Sequence, residues 1–328
     1  MVRSVGSALV LAGGGITGIA WESGVLAGLA AGGVDTRQWD LVVGTSAGAY
    51  VGARLLGDRS PTPLFAEQTS SNDKAMEGAL QRLFGLGFVR VMRLSRRGWL
   101  RWVGLIWLAN LIVTSLMQYA IRHGIRSTIA VAKSLRPGGE VDPQVVAKQI
   151  GAVANMKRKG SGDLSAFWEA ELAPSREWPT TRLIAVAVDT ADGSRMAFEA
   201  SSGVSLVDAV AASTCLPGLL APVELGGRRY MDGGLASAAN ADIATGQRDV
   251  WIVSPFGATS LDRQVADLQS SGSIVHLIRP SAAATRALGP GIGVMDPSRR
   301  SAAARAGFTD GQAAAEELGV TRAGPDPG

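Results

Sequence analysis

The sequence predicts an α/β fold on a mainly parallel sheet with helices on both faces. Three observations predict it. Short apolar runs of strand length recur at Ala8–Ala12, Leu41–Val43, Arg182–Val188, Val250–Val253 and Ile274–Ile278, as strands buried on both faces read. Small-residue helical stretches alternate with them, for example Thr17–Ala31 and Val204–Cys215, which favours a parallel sheet with crossover helices. The first two runs each lead into a glycine-bearing turn and then a helix start.

Taken in order, residues Met1 to Ala31 superficially resemble a signal peptide, with Arg3, an apolar stretch and small residues. Gly13-Gly14-Gly15 would break the apolar helix such a peptide needs. The stretch reads instead as a buried strand over Ala8–Ala12, a glycine loop, and a helix from Thr17 to Ala31 that Gly32-Gly33 ends. Pro61-Thr62-Pro63 marks a boundary. The core resumes at Arg182, and the Val204–Cys215 helix is stopped by Pro217. A short strand over Arg228–Met231 then runs into Asp232-Gly233-Gly234. Ser298–Gly319 has an Ala-rich helical composition, and 321–328 reads as a frayed tail. The expected organisation is one discontinuous core, 1–60 plus 181–320, with a helical insert at 61–180.

Composition narrows the function. The chain has 328 residues, 46% hydrophobic, enough for one large core carrying an insert. A single cysteine, Cys215, excludes an internal disulfide and points to a reducing, cytoplasmic setting, where it serves as a small buried hydrophobe. Only His123 and His276 are available as imidazole ligands, so no metal site is expected, and no cofactor. The net charge is +4 but unevenly spread. Gly78 to Gly139 contains ten basic residues and no Asp or Glu, which leaves the remaining chain net acidic. A basic insert on an acidic body does not suit a nucleic-acid binder.

Within the insert, Trp102 to Ile121 carries no charge and is bounded by Arg101 and Arg122. Arg93, Arg97 and Arg101 recur every fourth residue just before it, with Trp99 and Trp102 interleaved. Asn110, Thr114 and Gln118 give the run a narrow polar stripe if it is helical. Three readings stay open: a buried core helix, a membrane span, and an amphipathic lid or interfacial helix that meets anionic lipid through its Arg/Trp flank. A single crossing would place the two halves of the core on opposite sides of a membrane. The interfacial reading is preferred, with the protein attached peripherally at the inner membrane face.

Three elements carry chemistry. Gly44-Thr45-Ser46-Ala47-Gly48 is a G-x-S-x-G sequence between a strand and a helix start, the form of a nucleophile elbow. The turn projects the Ser46 hydroxyl from the sheet edge, and the following helix points its positive end at the site. The loop Gly13-Gly14-Gly15 also fits G-x-G-x-x-G with Gly18. A dinucleotide site would need an acidic residue ending the next strand, and neither Asp35 nor Asp40 does so. The other use of such a loop is to turn backbone N–H groups on a developing oxyanion. Asp232, on a glycine-flanked turn after a strand, is placed to take a proton from Ser46. Two mechanisms then compete: a Ser46, Asp232, His276 triad in α/β-hydrolase order, and a Ser46–Asp232 dyad that needs no histidine. His276 lies inside an apolar strand, which favours a structural role for it.

At Leu11–Gly18, Gly44–Gly48, Ala212-Ser213 with Pro217 and Pro222, and Asp232-Gly233-Gly234, the sequence resembles the patatin-like phospholipases, in a bacterial branch. The resemblance covers most of 5–57 and 181–320. It implies a patatin-like three-layer sandwich and a lipid acyl hydrolase. It further implies Ser46 as nucleophile, Asp232 as base, and an oxyanion hole from Gly13, Gly14 and Gly15 with Ala47. Gly18, Gly44, Gly48, Gly233 and Gly234 support these motifs. The implied partners are an acyl-ester substrate and an anionic membrane surface. Two departures stand out: Thr17 replaces a frequent arginine, and the stretch after Asp232-Gly233-Gly234 reads Leu-Ala-Ser-Ala-Ala before Asn240 and Asp242. A weakened scaffold of the same fold and a nucleotide-binding protein remain as alternatives.

Overall fold

The computed structural model describes residues 6–58, 60–70, 73–95, 143–155, 164–173, 176–257 and 259–318. Its sheet consists of β1 (Ser7–Leu11), β2 (Leu41–Thr45), β3 (Arg182–Asp189), β4 (Arg195–Phe198), β5 (Val223–Leu225), β6 (Arg228–Asp232), β7 (Asp249–Val253) and β8 (Ile274–Ile278). The helices are α1 (Gly15–Ala31), α2 (Ala47–Asp58), α3 (Pro61–Thr69), α4 (Asp73–Ser95), α5 (Pro143–Ala154) and α6 (Leu164–Glu171). They continue with α7 (Leu206–Ser213), α8 (Thr259–Ser270), α9 (Ala282–Leu288) and α10 (Arg300–Glu317).

The strand order is β5-β6-β3-β2-β1-β7-β8, with β4 also on β3. Strands β3, β2, β1, β7 and β8 run parallel, while β4, β5 and β6 are antiparallel. The apolar runs divide by alternation. Leu9, Leu11, Val42, Leu183, Ala185 and Val253 join one cluster with α1, α2, α7 and α10. Ala8, Val10, Val43, Ile184, Val186 and Ile252 join another, under α8 and the turn at Ala241–Ala244. A strand buried on both faces needs apolar side chains at every position, so these runs carry no polar alternation. The fold is the α/β sandwich that the sequence predicts.

Where sequence and structure differ, the reasons are local. Pro61 opens α3 rather than marking a break: Ser60 caps the helix and proline fits its first turn. Leu64 and Leu83 of α3 and α4, and Leu164 and Trp168 of α6, enter the main cluster alongside core residues. Strands β4 and β5 are short and antiparallel, and they carry exposed residues that break the apolar pattern. Among the described residues no helix is long and apolar enough to cross a membrane. The uncharged run at 102–121 and Arg97, Trp99, Arg101 and Trp102 fall outside the described residues; Arg93 lies in the last turns of α4.

Helices α1 and α10 pack backbone to backbone. A methyl group on Gly24 would meet the Ala304 carbonyl, and one on Gly28 the Phe308 carbonyl. Reciprocally, a methyl on Gly307 would meet the Trp21 carbonyl and one on Gly311 the Val25 carbonyl. This contact covers α1, whose first turn borders the glycine loop. It also gives the Ala/Gly composition of the C-terminal helix a purpose that composition alone does not show. A side chain here must push the helices apart, and forced overpacking costs about 1–3 kcal/mol or more. Gly28→Leu is therefore expected to lower the unfolding free energy by at least ~2 kcal/mol in urea titration, whereas leucine at solvent-exposed Gly203 should cost only its left-handed backbone strain.

Candidate active site

Ser46 sits where β2 ends and α2 begins, with φ at 53°, one of two described non-glycine residues in the left-handed region. Such a conformation costs energy and persists only where the surroundings enforce it. They do so here. A methyl on Gly44 would strike the Ala49 backbone, and one on Gly48 the Leu11 carbonyl. The Gly48 N–H donates to the Ala12 carbonyl at 3.2 Å. The Ser46 N–H donates to Ser213 Oγ at 2.9 Å, and Ser213 Oγ donates to the Val186 carbonyl at 2.6 Å.

Asp232 ends β6. Its N–H donates to the Cys215 carbonyl at 2.9 Å. Its Oδ1 accepts the Gly234 N–H at 2.7 Å, and its Oδ2 accepts the Ser46 hydroxyl at 2.7 Å. Burial pushes the Asp232 carboxyl up to about 6, against the opposing pull of the Ser46 and Gly234 hydrogen bonds. A carboxylate held in this way is ionised at neutral pH yet more basic than an exposed one.

The glycine loop brings its backbone to the same edge. The Cβ position of Gly13 lies 3.5 Å from Ser46 Cβ. The Gly13 N–H, expected as an oxyanion donor, instead donates to the Ala238 carbonyl at 2.8 Å. It is already committed, so the candidate donors reduce to Gly14, Gly15 and Ala47. Gly14 caps α1, while Gly15 and Ala47 open α1 and α2. Helix starts leave such N–H groups without an intrahelical partner. Gly15 adopts φ 63°, which glycine tolerates.

His276 lies on β8, three strands along from β2, roughly 14 Å at the usual strand spacing. Its Nε2 meets Asp249 at 3.0 Å and its ring packs on Trp251. The triad reading is thereby set aside. Asp35 is engaged by Arg37 and Gln38, and Asp40 accepts from Ser7, so neither is placed to hold a ribose. Thr17 is buried, and its hydroxyl donates to the Leu288 carbonyl at 3.0 Å. The position of the missing arginine is thus filled by a helix-packing contact. Among the described residues no cluster of His, Cys, Asp or Glu could hold a metal.

Sequence reasoning gave no role to Asn240. It is fully buried with φ 52°. Its Nδ2 donates to Thr45 Oγ1 at 3.0 Å, to the Ser237 carbonyl at 2.7 Å and to the Gly233 carbonyl at 3.4 Å. Arg195, paired with Asp242, donates to its Oδ1 at 3.3 Å. One amide thus ties the residue before Ser46 to the residue after Asp232. Glycine at 240 would tolerate the backbone and remove the tie. Asn240→Gly should leave the protein folded while lowering kcat by ~10-fold or more, as small misplacements of reacting groups do. KM should change far less, which steady-state kinetics on a soluble ester would read.

Beside Ser46 opens a cavity of about 810 Å³ including its mouth. Ile16 and Ile19, Leu80 and Phe84, Phe167 and Leu220 form its apolar walls. No curated protein matches the chain by sequence. In structure it is similar to VipD from Legionella pneumophila, at 12% identity and a TM-score of 0.40, covering 95% of this chain and 67% of that one. It is also similar to the type III effector protein ExoU, at 15% identity and a TM-score of 0.37, covering 95% of this chain and 53% of that one. The chain therefore spans about half the length of ExoU. The family model described as patatin-like phospholipase matches residues 9–245, a span that holds the glycine loop, the Ser46 elbow and Asp232, and the chain belongs to that family.

Proposed function

We propose that this chain is a serine hydrolase of lipid acyl esters that works through a Ser46–Asp232 dyad. The observation that carries the reading is the 2.7 Å hydrogen bond from the Ser46 hydroxyl to a buried carboxylate whose basicity burial has raised. Family membership supports lipid hydrolysis, and the apolar cavity at the serine suits an acyl chain.

In the proposed reaction Asp232 takes the hydroxyl proton as Ser46 Oγ attacks the ester carbonyl. The negative charge that develops on the carbonyl oxygen is met by the N–H groups of Gly14, Gly15 and Ala47. Each such donor is typically worth 10²–10³ in rate. Collapse of the intermediate breaks the ester C–O bond and returns the proton from Asp232 to the departing alcohol. Water, deprotonated by the same carboxylate, then cleaves the acyl-enzyme. In this reading residues 61–180 are a helical insert that serves as a lid or membrane-interface segment. Helices α4 and α6 wall the cavity, and the Arg93, Arg97, Trp99, Arg101, Trp102 flank docks on anionic lipid. In this reading the protein attaches peripherally at the inner membrane face.

A short p-nitrophenyl ester and phosphatidylglycerol vesicles, offered to wild type and Ser46→Ala in parallel, test the reading. Wild type should release product from at least one of them and Ser46→Ala from neither. Equal turnover by both proteins would remove Ser46 from the mechanism. Asp232→Asn should lower kcat by several orders of magnitude, with His276→Ala near wild type.

The base must be ionised to work, so kcat/KM should rise with pH along an acid limb centred near 6 and level off above it. A limb at the ordinary aspartate value would mean that a solvated carboxylate is the base.

A further inference from the structure

The cavity beside Ser46 is not lined by hydrocarbon alone. Ala47, Tyr50 and Arg54 fall on one face of α2, so Arg54 lies about 10 Å along the helix from the elbow. The cavity lining also holds the polar residues Glu67, Gln68, Glu171 and Arg300. Arg54 neutralises Glu67 through two contacts, Nη2 to Oε1 at 2.6 Å and Nη1 to Oε2 at 3.1 Å. It also donates to the Tyr50 hydroxyl at 3.0 Å.

Among the described residues Arg300 has no such hydrogen-bonded carboxylate. It is only 6% exposed, and among the described residues no carboxylate lies within 4 Å of its guanidinium. Its Nε donates to Gln68 Oε1 at 3.1 Å and its Nη2 to the Glu67 carbonyl at 3.3 Å. A guanidinium has five N–H donors, so the remaining ones have no acceptor among the described residues. Because Gln68 Oε1 accepts from Arg300, the Gln68 amide presents its NH2 group as donor, again with no acceptor there, and Gln68 is 4% exposed. Burial pushes the nearby Glu171 carboxyl up, with Arg300 offsetting part of the shift. Glu171 gives Arg300 an opposite charge nearby but no hydrogen bond, and buried N–H donors left without an acceptor are costly; here Arg300 and Gln68 line the cavity with such donors.

We propose that Arg300 and Gln68 form an anion subsite in the cavity, so that the ester cleaved at Ser46 carries a second, anionic group, a carboxylate or a phosphate. This deepens the hydrolase reading and rests on it. Arg300 also meets the last turn of α3, where a cation favours the helix dipole. A purely structural role of that kind predicts lost stability without substrate discrimination.

Two substrate pairs separate the sources of the anion. The p-nitrophenyl half-ester of octanedioic acid against p-nitrophenyl octanoate places a carboxylate on the acyl tail. Dihexanoyl phosphatidylglycerol against dihexanoylglycerol places a phosphate on the alcohol side. In at least one pair, wild type should favour the anionic member by about tenfold or more in kcat/KM. Arg300→Gln should bring that ratio to about one and leave the neutral member within about threefold. Arg300→Lys, which keeps the charge and guards against a folding defect, should retain part of the preference. Ratios unchanged by Arg300→Gln in both pairs would overturn the subsite, as would no wild-type preference in either. If wild type cleaves none of the four, the hydrolase reading fails on its own, and calorimetric binding of octanedioate decides the subsite. Binding that weakens at least tenfold in Arg300→Gln upholds it, and equal or absent binding overturns it.

Discussion

The hydrogen bond between Ser46 and Asp232 joins residues 186 positions apart, and much of the fold exists to make it possible. Both lie at strand ends on either side of β3, which pairs Thr45 with Val186 and Ala187 with Asp232. Val186 is where the supports converge. Its carbonyl accepts the Ser213 hydroxyl that holds the Ser46 N–H, and a methyl on Gly233 would strike the same carbonyl. Asn240 closes the arrangement from the other face. The serine and the carboxylate are therefore fixed by backbone register and the buried polar side chains of Ser213, Asn240 and Thr45 rather than by flexible loops, as a preorganised site requires.

The arrangement has an energetic consequence. Burial raises the Asp232 carboxyl from 3.8 to about 6, so the unfolded chain loses this proton at lower pH than the folded one. Stability contributed by the protonated form is present below 3.8 and declines as pH rises through about 6. Glu22, fully buried on α1, is shifted in the same direction by desolvation. The same burial that makes Asp232 a better base thus destabilises the fold at neutral pH. The strained backbone of Ser46 adds to that cost, and the close packing of α1 on α10 is one of the features that offset it.

Local chemistry was legible in the sequence, and long-range chemistry was not. The Gly44–Gly48 elbow and the Asp232-Gly233-Gly234 turn announce themselves because tight backbone approach demands glycine within a few residues of the reacting side chain. The parallel strands announce themselves because burial on both faces removes polar residues. The roles of Ser213, noted only as part of the Ala212-Ser213 resemblance, and of Asn240 carry no such mark, because their partners, Ser46 and Thr45, lie 167 and 195 positions away. Gly13 satisfied the glycine pattern, yet its N–H is taken by Ala238, which only the tertiary fold could bring there. Arg300 looked like one cation of an Ala-rich helix until the cavity placed it beside Gln68.

The central claim, that buried Asp232 activates Ser46, is tested most directly by the rate at which a fluorophosphonate labels Ser46, followed by intact-protein mass spectrometry across pH. The account predicts a single adduct on wild type, placed on Ser46 by peptide mapping, with a rate that climbs through pH 6 and falls by orders of magnitude in Asp232→Asn. Labelling of Asp232→Asn at the wild-type rate would contradict it, because the serine would then owe its reactivity to some other group.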